Sequence, residues 1–493
     1  MNIKRAKEEI RNTVEAYLKK DSDGEYLIPV IRQRPILLLG APGIGKTQIM
    51  EQVARECGIA LVSYTITHHT RQSAIGLPFI SKKTYGGREY SVTEYTMSEI
   101  IASVYDAMEE TGLSEGILFI DEINCVSETL APAMLQFLQC KTFGSHAVPE
   151  GWIIAAAGNP PEYNKSVREL DVVTLDRVKK IPVEPDFEVW KAYAWEAGIH
   201  PAVISYLDAR PSSFYQMETT VDGTFFATPR GWEDLSGLLK VYEQLGKTAD
   251  AEVVQQYIQH PRTARDFANY LDLYRKYQTD ELLAAVLQEG RTEELLLKKL
   301  AHAPFDERLS VISVLAARVT AAMRNFCLEE EYLTKLHNKM KLWKEGVQNG
   351  QDGAELLGIL AEAAQEEYRR RKRAKLLQRD EAKLLKRTAG WLARAASSPE
   401  TAEECFGREV SELETGLRDA GVILERAFDF MEAAFGNSQE MVRFVTELNL
   451  NAWSVRFLQE YECERYYRYN KELLFDEKRR RILNRIERLE RLT

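Results

Sequence analysis

The stretch "PILLLGAPGIGKTQIM", residues 35–50, decides the fold. An apolar run leads into Gly40, four further residues, then Gly45-Lys46-Thr47, and a helical pattern follows. The segment reads strand, loop, helix. Glycines let the backbone curl so that successive N–H groups face one anion, and the start of the next helix adds favourable partial charge. Lys46 can reach the β- and γ-phosphates of a nucleotide, and Thr47 can offer its hydroxyl to Mg²⁺. The residues expected to cradle the nucleotide are Gly40, Ala41, Pro42, Gly43, Ile44, Gly45, Lys46, Thr47 and Gln48.

Further along, "GILFIDE" (116–122) drives four large apolar residues into two acids. Charge at the end of a buried strand is costly unless a cation or a reaction uses it. Asp121 stands where a P-loop enzyme holds Mg²⁺ through its water shell. Glu122 points differently and can polarise a water for attack on the γ-phosphate. Asn159 closes the run "WIIAAAGN" (152–159), where an amide can bond the attacking water or the γ-phosphate. Arg177 in "TLDRVKKI" and Arg230 in "TPRGW" are the cations expected beside phosphate, since a guanidinium spans two oxygens. Arg168 competes with Arg177 for one role.

Around these residues the first half alternates strands and helices. Strands are expected at 35–40, 60–66, 116–122 and 152–159, with helices at 46–57, 97–111 and 128–140. Strands apolar on both faces indicate a parallel sheet covered by helices, a doubly wound α/β domain. Gly86-Gly87 within 78–95 signals a hairpin, and 141–152 reads as a second hairpin or structured loop. After about residue 187 helical patterns dominate, beginning with Thr228 as N-cap and Pro229 at the first helical position. Leu377, Leu384 and Trp391 recur seven apart, as do Leu385 and Leu392. Ile482, Ile486 and Leu489 follow four-three spacing. Both patterns suit helical hairpins or short coiled coils.

The chain has 493 residues, 45% hydrophobic and 28% charged, with net charge −10. That is ordinary for a globular protein and argues against a general nucleic-acid coat. Six cysteines lack any CxxC pair and seven histidines lack metal-ligand spacing, so reduced thiols and a cytoplasmic setting are expected. No apolar run approaches the roughly 18–20 residues that span a bilayer. The start, MNIKRAKEEIRNTVEAYL, reads as an amphipathic helix without the apolar core of a signal peptide.

The order GAPGIGKT, LFIDEIN, AAAGNPPEYN, LDR and TPR resembles an AAA+ ATPase of the MoxR family, over roughly residues 3–275. The resemblance implies an α/β P-loop NTPase domain over 1–187, an all-α lid over 188–279 and, beyond the family's pattern, a helical extension over 280–493. It implies that Gly40–Thr47 is Walker A and that Asp121 and Glu122 are Walker B. It implies too that Asn159 is sensor 1, Arg177 the arginine finger and Arg230 sensor 2. By the same likeness 78–95 is the helix-2 insert and 141–152 the pre-sensor-1 hairpin. ATP and Mg²⁺ are the implied cofactors, with a homo-oligomeric, hexameric ring holding ATP between subunits. A protein client or a von Willebrand A domain partner is implied, and no membrane. Two other classes stay open: a nucleic-acid-directed motor, favoured by "RRRKR" (369–373), and a nucleotide-switched scaffold with little turnover, against which Glu122 argues.

Overall fold

The chain is described from a computed structural model, which covers residues 1–66, 74–143, 146–163, 172–221, 223–279, 281–374 and 376–471. Two compact units form, Met1–Val189 with Gln365–Leu385, and Trp190–Ala364 with Lys386–Thr493. In chain order the first unit runs α1 (Ile3–Leu18), β1 (Ile36–Gly40), α2 (Lys46–Cys57), β2 (Ala60–Thr65), β3 (Pro78–Tyr85), β4 (Arg88–Tyr95), α3 (Glu99–Thr111), β5 (Gly116–Asp121), α4 (Ala131–Cys140), β6 (Thr142–Phe143), β7 (His146–Ala147), β8 (Trp152–Gly158), α5 (Val172–Arg177) and β9 (Lys179–Val183).

Five of these strands form one sheet in the order β2-β5-β8-β1-β9, and every pairing is parallel. The apolar runs explain it. Ile36, Leu37 and Leu38 of β1 and Ile117 to Ile120 of β5 are fully buried, and all of β8 is buried. Strands shielded on both faces need helices on both sides. Because the strands are parallel, β1, β5 and β8 all end on the same edge of the sheet. In open α/β sheets, ligands bind outside the carboxyl ends of the strands.

The fifth strand, β9, escapes the sequence reading. "KKIPV" alternates buried and exposed residues and contains Pro182. Proline is tolerated because β9 is an edge strand, paired to β1 alone. Met1 caps that edge, its amino group donating to Pro182 O at 3.0 Å. The hairpin over 78–95 is present as β3–β4, turning at Gly86 and Gly87 with φ of 59° and 80°, as a type I′ turn requires. β6 and β7 supply the second, short hairpin.

The second unit is mainly helical. Thr228 caps the helix Pro229–Gln244, its side chain accepting from the Gly231 N–H. One antiparallel hairpin, Gln216–Thr220 with Gly223–Ala227, interrupts the helices. The Asp222-Gly223 dipeptide is the turn signal that announces it. The helix Phe305–Gln348 forms the spine of the unit. By length and composition it is apolar enough to cross a bilayer, in contrast to the expectation from sequence, yet 61% of its apolar window is buried in the fold. In the stretch Gln365–Leu385, which belongs to the first unit, Leu377 does not join a heptad seam, because it lies in the connection between the helices Gly353–Arg373 and Arg379–Ala396. Leu384, Leu385, Trp391 and Leu392 are buried. Ile482, Ile486 and Leu489 lie outside the described residues.

A charged cluster lies in this unit, with Lys191 and Glu447 buried and Asp208 and Arg443 half-buried. Lys191 Nζ donates to Asp208 Oδ1 at 2.5 Å, and Arg443 pairs with the same carboxylate. Burial pushes the nearby Glu447 carboxyl from its ordinary 4.5 up to about 7, against the opposing pull of Arg443 and Lys191. A raised pKa in the folded state means that stability is present below the unfolded value and is lost as pH rises through about 7. Glu447→Gln should therefore flatten the fall in the urea midpoint between pH 5 and pH 8, a difference of about 3 kcal/mol at most. Identical pH slopes in parent and variant would contradict the assignment.

Candidate active site

β1 delivers Gly40 to the sheet edge against β9. A Cβ there would stand 2.4 Å from Val183 O, so glycine is required by space. The loop then turns with Gly43 at φ 75° and Gly45 at φ 92°, a left-handed conformation that a side chain resists. Gly45 is the N-cap of α2 and gives no side-chain cap bond. The first N–H groups of a helix have no intrahelical partner, and the helix dipole favours an anion at that end.

Lys46 is buried on the first turn of α2. Its Nζ donates to Gly40 O, Ala41 O and Asn159 Oδ1, each at 2.8 Å. It thereby joins the loop after β1 to the end of β8. Beside it, Thr47 Oγ1 donates to Asp121 Oδ2 at 2.9 Å, which joins α2 to the end of β5. The other Asp121 oxygen accepts from the Glu122 N–H at 2.9 Å. Three strand ends thus meet through two side-chain links.

Glu122 is half-buried at φ 57°, and the only other non-glycine residue with positive φ among those described is Lys141. A left-handed glutamate costs about 1–2 kcal/mol, which tertiary structure must sustain. The turn is held from both sides, with Cys125 N–H donating to Glu122 O and Ile123 N–H to Ala157 O, both at 2.9 Å.

Sequence reasoning missed Asn124. It is buried, and its Nδ2 donates to Asn159 O at 2.8 Å. Its Oδ1 is buried without a hydrogen-bond partner. Asn159 is thus gripped at its backbone by Asn124 and at its side chain by Lys46. The signal was an amide three residues beyond Asp121. Lys141 was also missed. Its Nζ donates to Val30 O at 2.6 Å, tying the C-terminal end of α4 to the segment before β1. Burial lowers its pKa to about 8.

The cations divide. Arg177 is exposed at the end of α5 and has no ion pair among the described residues. Val172 and Val173, on the same short helix, are 80% and 56% exposed. Arg230 is exposed on the first turn of Pro229–Gln244, in the second unit. Arg168 lies outside the described residues. The basic run at 369–373 ends the helix Gly353–Arg373, where positive charge complements the helix dipole. Arg371 there is 2.6 Å from Glu381.

The donor set fits a magnesium-bound nucleoside triphosphate. A hydroxyl and a carboxylate within 2.9 Å of each other are hard oxygen ligands of the kind Mg²⁺ prefers. A buried ammonium and a helix N-terminus free of a side-chain cap suit phosphate oxygens.

Residues 36–174, from β1 into α5, match the family model described as "ATPase family associated with various cellular activities (AAA)". No curated protein matches the chain significantly. The first unit therefore carries an AAA-type ATPase domain, and such a domain implies nucleotide binding.

The backbone at Glu122 makes a prediction about stability. Glu122→Gly should raise the unfolding free energy of the first unit by about 0.5–1 kcal/mol, because glycine adopts a left-handed φ without strain and loses some of that gain to chain entropy. Chemical denaturation measures it, and a loss of stability would contradict the strain.

Proposed function

We propose that the chain is an ATPase of the AAA+ class, similar to the MoxR family, which assembles as a ring and uses ATP hydrolysis to remodel or activate a protein partner. The observation that carries it is the pair of links Lys46–Asn159 and Thr47–Asp121, which brings the phosphate cradle and the acid pair together.

In this proposal Lys46 and the N-terminus of α2 bind the phosphates, and Gly43 and Gly45 give the loop its curl. Gln48, exposed on the first turn of α2, completes the cradle. Thr47 and Asp121 hold the metal, which when bound neutralises charge developing on the phosphate oxygens. Glu122 takes a proton from the attacking water while Asp121 holds the metal, so that the two carboxylates do different work. Asn159, set by Asn124 and Lys46, orients that water or the γ-phosphate. For Arg230 the role proposed is the one that the resemblance gives it, sensor 2.

Arg177 is proposed to act on the nucleotide of a neighbouring subunit. Its exposure beside Val172 and Val173 supports a contact between copies, since an apolar surface next to a lone cation is a poor choice for water. The hairpin β3–β4 exposes Phe79, Ile80, Tyr85 and Tyr90, which supports it as the surface that grips a client. A von Willebrand A domain protein is the partner class proposed from the resemblance. The pairing of Arg371 with Glu381 gives the basic run a structural use and weighs against a nucleic-acid motor.

Two measurements test the proposal. Glu122→Gln should keep ATP binding and lower turnover by about 100-fold or more, whereas Lys46→Ala should lose binding itself. Turnover at the parent rate in Glu122→Gln would remove it from the role of base. Specific activity should rise with protein concentration as rings assemble, and Arg177→Ala should abolish that rise while sparing binding. Concentration-independent turnover would contradict the ring.

A further inference from the structure

Asn124 sits in the turn that carries Glu122, two residues beyond it. The backbone already ties that turn to the end of β8, the Ile123 N–H donating to Ala157 O at 2.9 Å. Asn124 adds a side-chain tie further along, its Nδ2 donating to Asn159 O at 2.8 Å. A carbonyl only accepts, so the amide nitrogen must face it and the amide oxygen must face elsewhere. That oxygen lies over Gly158. A Cβ at 158 would stand 2.5 Å from Asn124 Oδ1 and 2.8 Å from its Cγ. Gly158 is not among the described glycines with a left-handed φ, so space and not conformation calls for glycine there.

This is costly for a residue that only fills the core. Asn124 is 5% exposed, and its Oδ1 has no hydrogen-bond partner among the described residues. An orphaned buried acceptor costs about 1–3 kcal/mol, which an apolar side chain of the same shape would avoid. What the amide secures is Asn159. The side chain of Asn159 is held by Lys46, whose ammonium donates to Gly40 O, Ala41 O and Asn159 Oδ1. Lys46 is also the cation assigned to phosphate. A phosphate that draws on its three protons loosens the grip on the Asn159 amide. The bond from Asn124 to the Asn159 backbone does not compete with phosphate, so it persists.

On the ATPase reading above, which this assignment presupposes, we propose that Asn124 is a positioning residue for hydrolysis. It locks Asn159 to the Glu122 turn, so that the base and the amide that orients the water keep one spacing while Lys46 turns to the nucleotide. Gly158 is the space that admits it.

The test sets steady-state turnover beside ATP binding by titration calorimetry, both on the full chain. Asn124→Ala should lower kcat by about 10- to 100-fold, the scale that a small misplacement of reacting groups costs. Its ATP affinity should stay within about threefold of the parent, because the lost bond goes to Asn159 and not to the phosphate loop. Gly158→Ala should act alike, by pushing the amide aside. The double variant should fall no further than Asn124→Ala, since the added methyl then has room, whereas independent losses would multiply. Asn124→Asp sets an acceptor against Asn159 O. Acid should restore part of its kcat relative to the parent, because a protonated carboxyl donates again. Thermal melts by circular dichroism check that each variant folds. Parent-like kcat in Asn124→Ala, losses that multiply in the double variant, or a loss of ATP affinity as large as the loss of kcat would each overturn the assignment. A parent that binds ATP and does not hydrolyse it would remove the ATPase reading itself, and the role of Asn124 with it.

Discussion

The buried ammonium of Lys46 is the constraint on which the site depends. Its Nζ reaches Gly40 O, Ala41 O and Asn159 Oδ1, each at 2.8 Å, so one cation gathers the loop after β1 and the residue after β8. Burying an ammonium is expensive unless acceptors surround it. The loop must therefore curl toward Lys46, and that curl needs left-handed backbone at Gly43 and Gly45. The link between Thr47 and Asp121 then fixes the end of β5 relative to α2. Glu122 follows Asp121 in a strained conformation, held by backbone bonds to Cys125 and Ala157. A parallel sheet makes this convergence possible, since it brings every relevant strand end to one edge.

Much of this was legible in the sequence, and the parts that were not have physical reasons. β1, β5 and β8 are buried on both faces and so appear as unbroken apolar runs. β9 does not, because an edge strand can carry Lys179, Lys180 and Pro182. The phosphate loop is legible because its spacing encodes a backbone shape. Asn124 is not, because an amide gives no sign of whether it faces water or grips the residue after a neighbouring strand. The left-handed turn at Glu122 was invisible for a similar reason: local sequence favours glycine or asparagine there, and only the surrounding bonds hold a glutamate.

The helical half was legible in kind and not in arrangement. Apolar spacing announced helices, yet Leu377 falls in a connection and the hairpin at 216–227 interrupts the pattern. The helix Phe305–Gln348 is apolar around much of its circumference because several helices, among them Pro261–Gln278 and Ala402–Phe435, pack on it. A helix surrounded in this way carries a weak amphipathic signal, which is why the sequence alone could not orient it.

The account's central claim is that Lys46, Thr47 and Asp121 hold a magnesium-bound triphosphate. Titration calorimetry with ATP, in magnesium and then in chelator, tests it most directly when the parent is set beside Asp121→Asn. The account predicts heat and tight binding in the parent with magnesium, and weaker binding on chelation. It predicts that Asp121→Asn loses most of that magnesium dependence. No heat from the parent, or the same affinity with and without the metal, would contradict it.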